Sequence, residues 1–214
     1  MKFGKLSNLL RRSFDIIHGK KKLMKKRVFI AHGWEGSPES NWFPWLKQEL
    51  EIKGFEVHVP QLPDTNNPRI EKWVPALAQV VGTPDENTYF IGHSMGCQAI
   101  ARYLSSLPEE AKVGGVIFVA GFFKRLTGLE EGEEETSNHW LNTPLDLEKV
   151  RAHLLKSIAI FSDNDRYVPL DNQDDFHDKI GSEIITMKQM GHFSGDDGTL
   201  ELPIVLESVL RVAQ

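Results

Sequence analysis

Residues 88–100 read TYFIGHSMGCQAI: an apolar run, then Gly92-His93-Ser94-Met95-Gly96, then helix-forming residues. A serine held between two glycines where a strand becomes a helix fits the G-x-S-x-G turn. Such a turn forces the serine into a strained backbone conformation, and Gly92 and Gly96 leave room for strand and helix to approach closely. The hydroxyl of Ser94 is then presented at a helix N-terminus, where the dipole supports developing negative charge.

The segments around this turn repeat one alternation. The β-rich runs are 27–32 (RVFIAH), 55–59 (FEVHV), 88–93, 114–120 (GGVIFVA), 157–162 (SIAIFS) and 183–188 (EIITMK). Several are continuously apolar, as expected of parallel strands covered on both faces. Helical patterns fill the gaps. NWFPWLKQELEIKG has Asn41 as a candidate cap and Gly54 as the stop, and PRIEKWVPALAQVV carries Pro75, which should kink it. MGCQAIARYLSSL, PLDLEKVRAHL, PLDNQDDFHDKI (with Asp171 as a candidate cap) and TLELPIVLESVLRVA follow. Repeated β-α units with right-handed crossovers predict an α/β fold: a doubly wound, mostly parallel sheet of about six strands flanked by helices.

Residues 26–214 read as a single domain, interrupted at 122–144 by FFKRLTGLEEGEEETSNHWLNTP. That stretch is acidic and glycine-punctuated, and we expect a lid-like loop there. The 214 residues, 40% hydrophobic, suffice for one full core. No apolar run approaches the roughly 18 residues needed to span a bilayer, which argues against stable membrane insertion. Cys97 is the single cysteine, so no internal disulfide is possible, and a reducing, cytoplasmic setting is expected.

The net charge of −5 hides an asymmetry. Residues 1–27 hold ten Lys or Arg against Asp15 alone, and the remainder holds fifteen basic and twenty-nine acidic residues. An acidic body argues against nucleic-acid binding. We read residues 1–25 as a basic extension outside the fold: a solvated tail, sequence upstream of a start at Met24, or a weak amphipathic anchor.

A serine nucleophile needs a general base, and the base an orienting carboxylate, both on later loops at the same sheet edge. DNDRYVP follows SIAIFS, and QMGHFSG follows EIITMK, so His192 is the candidate base. Asp165 is the preferred acid because Val168-Pro169 stand three and four residues beyond it; Asp163, nearer the strand, is the competing choice or a structural cap. The backbone N–H of Met95, and of Trp34 in the His32-Gly33-Trp34 loop, are candidate oxyanion donors; a glycine turn with a packing aromatic is the bland reading of that loop. His93 is expected to pack in the sheet, His58 and His177 to be ordinary strand and helix residues, and His139 to be a solvated loop residue, with contact to substrate as the alternative. Cys97 is expected to be a small buried hydrophobe. Trp42, Trp45 and Trp140 are candidate walls of an apolar pocket, although such residues are more often plain core. No His spacing suggests a metal site, and no cofactor is implied.

With these residues placed, the chain resembles the retinoblastoma-binding protein 9 family of small serine hydrolases within the α/β-hydrolase superfamily. The likeness covers roughly 26–213 and rests on HGW, NWFPWL, the W-V-P of 73–75, GHSMG, NHWLNTP-LDLEK, DNDRYVP and the closing GHF. It implies Ser94 as nucleophile, Asp165 as acid and His192 as base. The founder's Leu-x-Cys-x-Glu motif has no counterpart in AQVVGTPDENT (78–88), so retinoblastoma-type binding is not carried over. The expected activity is hydrolysis of small carboxylic esters or related acyl compounds through an acyl-enzyme; the alternative is a non-catalytic binding module on the same fold.

Overall fold

Strands form where β-branched and aromatic residues run together, with Asp, Glu, Lys and Arg confined to the first residue of a strand. In the computed structural model, which describes residues 25–214, they are β1 (Arg27–Ala31), β2 (Glu56–His58), β3 (Thr88–His93), β4 (Gly115–Val119), β5 (Ser157–Ser162) and β6 (Glu183–Met187). Of the expected basic extension, all but Lys25 lies outside the described residues. The six strands make one open, wholly parallel sheet in the order β2-β1-β3-β4-β5-β6. β3 and β4 are buried along their whole length, because helices cover both faces, whereas the edge strand β6 is half exposed. Among the described residues no helix is long and apolar enough to cross a membrane.

The helices are α1 (Phe43–Ile52), α2 (Ile70–Val81), α3 (Met95–Ser105), α4 (Glu134–Asn142), α5 (Leu147–His153) and α6 (Pro203–Val212). Asn41 is not the cap of α1. Trp42 holds that position, and Asn41, at φ 55°, accepts instead from the Gly195 N–H at 2.8 Å. A long-range contact thus outbids the local one. α2 runs on through Pro75, which is solvent-exposed, so the Glu71 carbonyl that loses its donor lies on the wet side. Asp171 is no cap either: Pro169 precedes the short 3-10 turn Leu170–Asn172, and the Asp171 carboxylate pairs with Arg125 at 3.1 Å. Beyond it Asp175–Ile180 winds as a π-helix.

Residues 122–144 are not all loop. Their second half is α4, with Glu134 and Glu135 in the first turn where the helix dipole favours them. Both ends of the segment are gripped by buried polar side chains. The fully buried Asn172 accepts from the Phe123 and Lys124 N–H groups and donates to the Arg125 and Pro169 carbonyls, each at 3.0 Å. Arg102, on α3, donates to the carbonyls of Trp140 (2.6 Å), Thr143 (2.8 Å) and Pro144 (3.2 Å). Burial pushes its guanidinium down to about 10.

α3 is the most buried helix, and Gly96 is why it lies so near the sheet. A Cβ there would come within 2.1 Å of the Ala31 carbonyl oxygen and 2.7 Å of that of His32, both rigid backbone. We expect Gly96→Ala to lower stability by about 3 kcal/mol or more, as overpacking does when backbone must move. Gly195→Ala, whose Cβ would meet only Asn41 Oδ1 at 3.6 Å, should stay near wild type in the same urea denaturation series.

Candidate active site

The strand order reverses direction between β1 and β3, with β2 on one side and β4 on the other. Loops leaving the carboxyl ends of β1 and β3 therefore diverge and open a crevice. Ser94 stands in it. Its backbone is at φ 52°, ψ −120°, and its N–H is tied to the Val119 carbonyl at 2.9 Å. The cost of a non-glycine residue there is of order 1–3 kcal/mol, tolerated only where the surroundings impose it. Gly92 is part of that imposition: a Cβ on it would lie 2.8 Å from the Cys97 backbone.

The loops after β5 and β6 bring the two other side chains together. Asp165 Oδ2 lies 2.8 Å from His192 Nδ1, with the carboxylate 2% and the imidazole 12% exposed. Asp165 Oδ1 accepts from the Tyr167 (2.9 Å) and Val168 (3.0 Å) N–H groups. A carboxylate so held only accepts, so the proton of the imidazole sits on Nδ1, and Nε2 is left with its lone pair. No hydrogen bond among the described residues uses that Nε2.

Asp163 is elsewhere. It belongs to a cradle in which Ser162, Asp163 and Asn164 accept, in turn, from the N–H groups of Met190 (3.0 Å), Gln189 (2.8 Å) and Gly191 (2.8 Å). Asp197 completes the hold on the loop, its Oδ2 accepting from the His192 N–H at 2.8 Å and the Ser194 hydroxyl at 2.7 Å. Partial burial would raise the Asp197 carboxyl, but the bonds from Ser194 and His192 outweigh it and keep it below the usual range. Sequence reasoning missed this network. Its one visible trace is the run of turn residues in SGDDG (194–198), which starts two residues after the histidine.

Ser94 and His192 line one cavity of about 460 Å³ with Trp34, Phe122, Leu126, Leu129 and Tyr167 as its apolar wall. Trp42 and Trp140 are not in that wall: both are fully buried core residues, and Trp45 packs against the core. Their indoles are used for joining loops, Trp42 to the Phe193 carbonyl (3.1 Å) and Trp140 to that of Pro68 (2.9 Å). His139 is likewise outside the wall, within 3.1 Å of Glu71 Oε2 on α2. At the cavity floor the Gly33 backbone crowds the serine so closely that a Cβ on Gly33 would be 3.1 Å from Ser94 Cβ. Trp34 and Met95 line the same cavity, and among the described residues no loop or turn carbonyl accepts from either amide.

Cys97 is fully buried with its Sγ against the Val119 carbonyl, and burial pushes the thiol up, so it is inert as a nucleophile. His32 and His93 are buried and neutral. His32 Nδ1 donates to the Gly33 carbonyl at 2.9 Å, and its Nε2 accepts from Leu62 N–H at 3.1 Å; burial lowers its pKa. His93 Nε2 bonds the His192 carbonyl at 2.8 Å, and burial, aided by the neighbouring His192, pushes it down to about 3. An imidazole held neutral in the fold takes up a proton only on unfolding. Its contribution is thus complete above the ordinary value of 6.5 and is lost as pH falls below it. We expect stability to drop as pH falls below 6.5, approaching about 1.4 kcal/mol per pH unit from His93, with His32 acting in the same direction. Urea midpoints that stay level below pH 6.5 would contradict two neutral buried histidines.

A parallel sheet with a left-handed serine turn after β3, and an aspartate and histidine joined after β5 and β6, defines an α/β-hydrolase. The chain belongs to the serine hydrolase family, whose profile matches residues 28–211, and it is accordingly an enzyme, a serine hydrolase. It is similar to the YdeN protein of Bacillus subtilis strain 168, with 35% identity over 86% of this chain and 94% of that one. The solved B. subtilis ydeN product superposes with a TM-score of 0.81 over 88% of this chain and 98% of its own. The rat serine hydrolase RBBP9 is 28% identical over 80% of this chain and 88% of its own. Est1E of Butyrivibrio proteoclasticus shares the fold at 14% identity, with a TM-score of 0.66 over 88% of each chain.

Proposed function

We propose that the enzyme hydrolyses small carboxylic esters or related acyl compounds through Ser94, His192 and Asp165. The observation that carries this reading is the 2.8 Å Asp165–His192 contact beside a cavity that the strained Ser94 and the free edge of His192 both line. His192 Nε2 takes the Ser94 proton as Oγ attacks the acyl carbon, and Asp165 stabilises the imidazolium that forms. The Trp34 and Met95 N–H groups receive the oxyanion. The tetrahedral species collapses, His192 returns the proton to the departing alcohol, and the acyl group stays on Ser94. Water, deprotonated by the same imidazole, then releases the acid.

The apolar wall of Trp34, Phe122, Leu126, Leu129 and Tyr167 favours an uncharged acyl or alkoxy group of modest size. Residues 126–133 act as the lid over it in this reading. A fluorophosphonate probe read by intact-protein mass tests the nucleophile, and p-nitrophenyl esters of increasing acyl length test the substrate class. One adduct on wild type and none on Ser94→Ala is the expected result. A folded wild type that takes no label, or that turns over no ester of the series, sinks the respective half of the proposal.

A further inference from the structure

His192 stands between two residues in the left-handed region, Gly191 and Phe193, both at φ 55°. For Phe193, fully buried, that conformation costs about 1–2 kcal/mol and survives only where neighbours enforce it. Two buried side chains grip the carbonyls of this turn in succession: His93 Nε2 that of His192 at 2.8 Å, and Trp42 Nε1 that of Phe193 at 3.1 Å. A carbonyl only accepts, so the His93 proton is on Nε2, and Nδ1 carries a bare lone pair. That Nδ1 is buried without a partner, in a ring only 4% exposed that is flanked by Trp42 and Phe43, with centroids at 6.1 Å, and by His192 at 5.0 Å. Among such neighbours a purely apolar ring would pack without leaving a polar atom unsatisfied. What an imidazole adds at this position is the N–H aimed at the His192 carbonyl.

We propose that His93 is a positioning residue: its Nε2–H holds the strained 191–193 turn in the conformation that keeps the His192 imidazole joined to Asp165 at the cavity edge. This goes beyond reading His93 as sheet packing, and it rests on His192 serving as the base. The strand that delivers the nucleophile thereby also sets the base, through adjacent residues of one rigid turn. A shift of the base by even an ångström is costly in catalysis, because proton transfer needs hydrogen-bond geometry.

The test compares His93→Gln with His93→Met. The two side chains are nearly isosteric, and only glutamine retains an N–H that reaches the carbonyl. We expect His93→Met to lose about 30-fold in kcat on the best p-nitrophenyl ester with KM within about twofold, and His93→Gln to stay within about threefold of wild type. The downfield Nδ1–H proton resonance of His192 should persist in the glutamine variant and broaden in the methionine one. Equal kcat in the two folded variants, or a loss confined to KM, would overturn the proposal. If His93→Met does not fold, His93→Phe replaces it in the same comparison. Should wild type itself turn over no ester, it is the proposed substrate class that fails, and the proton resonance then decides alone: equal persistence in both variants overturns the positioning role.

Discussion

Asp165→Asn is expected to cut kcat by about 10⁴-fold while leaving the fold intact, as loss of the tautomer-setting carboxylate does in triads of this type. The Oδ1 position would still accept from the Tyr167 and Val168 amides, so the loop keeps its anchor. At the Oδ2 position, however, an NH₂ group would face His192 Nδ1 at 2.8 Å, donor against donor, unless the ring shifts its proton to Nε2. The first response drives the ring out of place, and the second puts the proton on Nε2, the atom that must accept from Ser94. Asp163→Asn provides the contrast. Its Oδ1 would go on accepting from the Gln189 N–H, and activity should stay within about threefold of wild type. Steady-state kinetics on one ester decide between the two acids, and comparable losses at both positions would refute the assignment.

Ser94→Ala should abolish turnover, a fall of about 10⁶-fold in kcat if serine and histidine act as one unit. Alanine keeps the strain at φ 52°, whereas Ser94→Gly removes both the nucleophile and the strain. The glycine variant should therefore be equally inactive yet unfold at a denaturant midpoint no lower than wild type, since glycine is at home at positive φ. Residual activity within a hundredfold of wild type in either variant would mean that another group attacks the substrate.

The strands were legible because runs such as FIGH and GVIFV are apolar without alternation and too short for a helix, as strands covered on both faces are. Placing Ser94, Asp165 and His192 then required only that three loops leave the same sheet edge. Local signals misled where a distant partner claimed the side chain: Asn41 serves Gly195 rather than α1, and Asp171 serves Arg125. The tryptophans illustrate a second limit. Nothing in a sequence distinguishes an indole lining a cavity, Trp34, from one stitching a loop to the core, Trp42 or Trp140. The helical half of 122–144 was hidden by the glycines just before it, Gly128 and Gly132, and by its acidic start, and its far end is tied down by Arg102, some forty residues away.

The paired grips of Asn172 and Arg102 have a consequence for how such an enzyme diversifies. Between them, residues 126–133 contribute Leu126, Leu129 and Glu133 to the cavity, and Gly132, at φ 94°, makes the turn into α4. The stretch is thus an exchangeable cassette, bolted at both flanks and pinned once between them, where the Thr127 N–H and hydroxyl donate to the Tyr167 (2.9 Å) and Arg166 (2.8 Å) carbonyls. Grafting a different eight-residue span there should redraw the ranking of accepted acyl lengths, while the rate of labelling by a small fluorophosphonate, which reads the machinery beneath, holds steady.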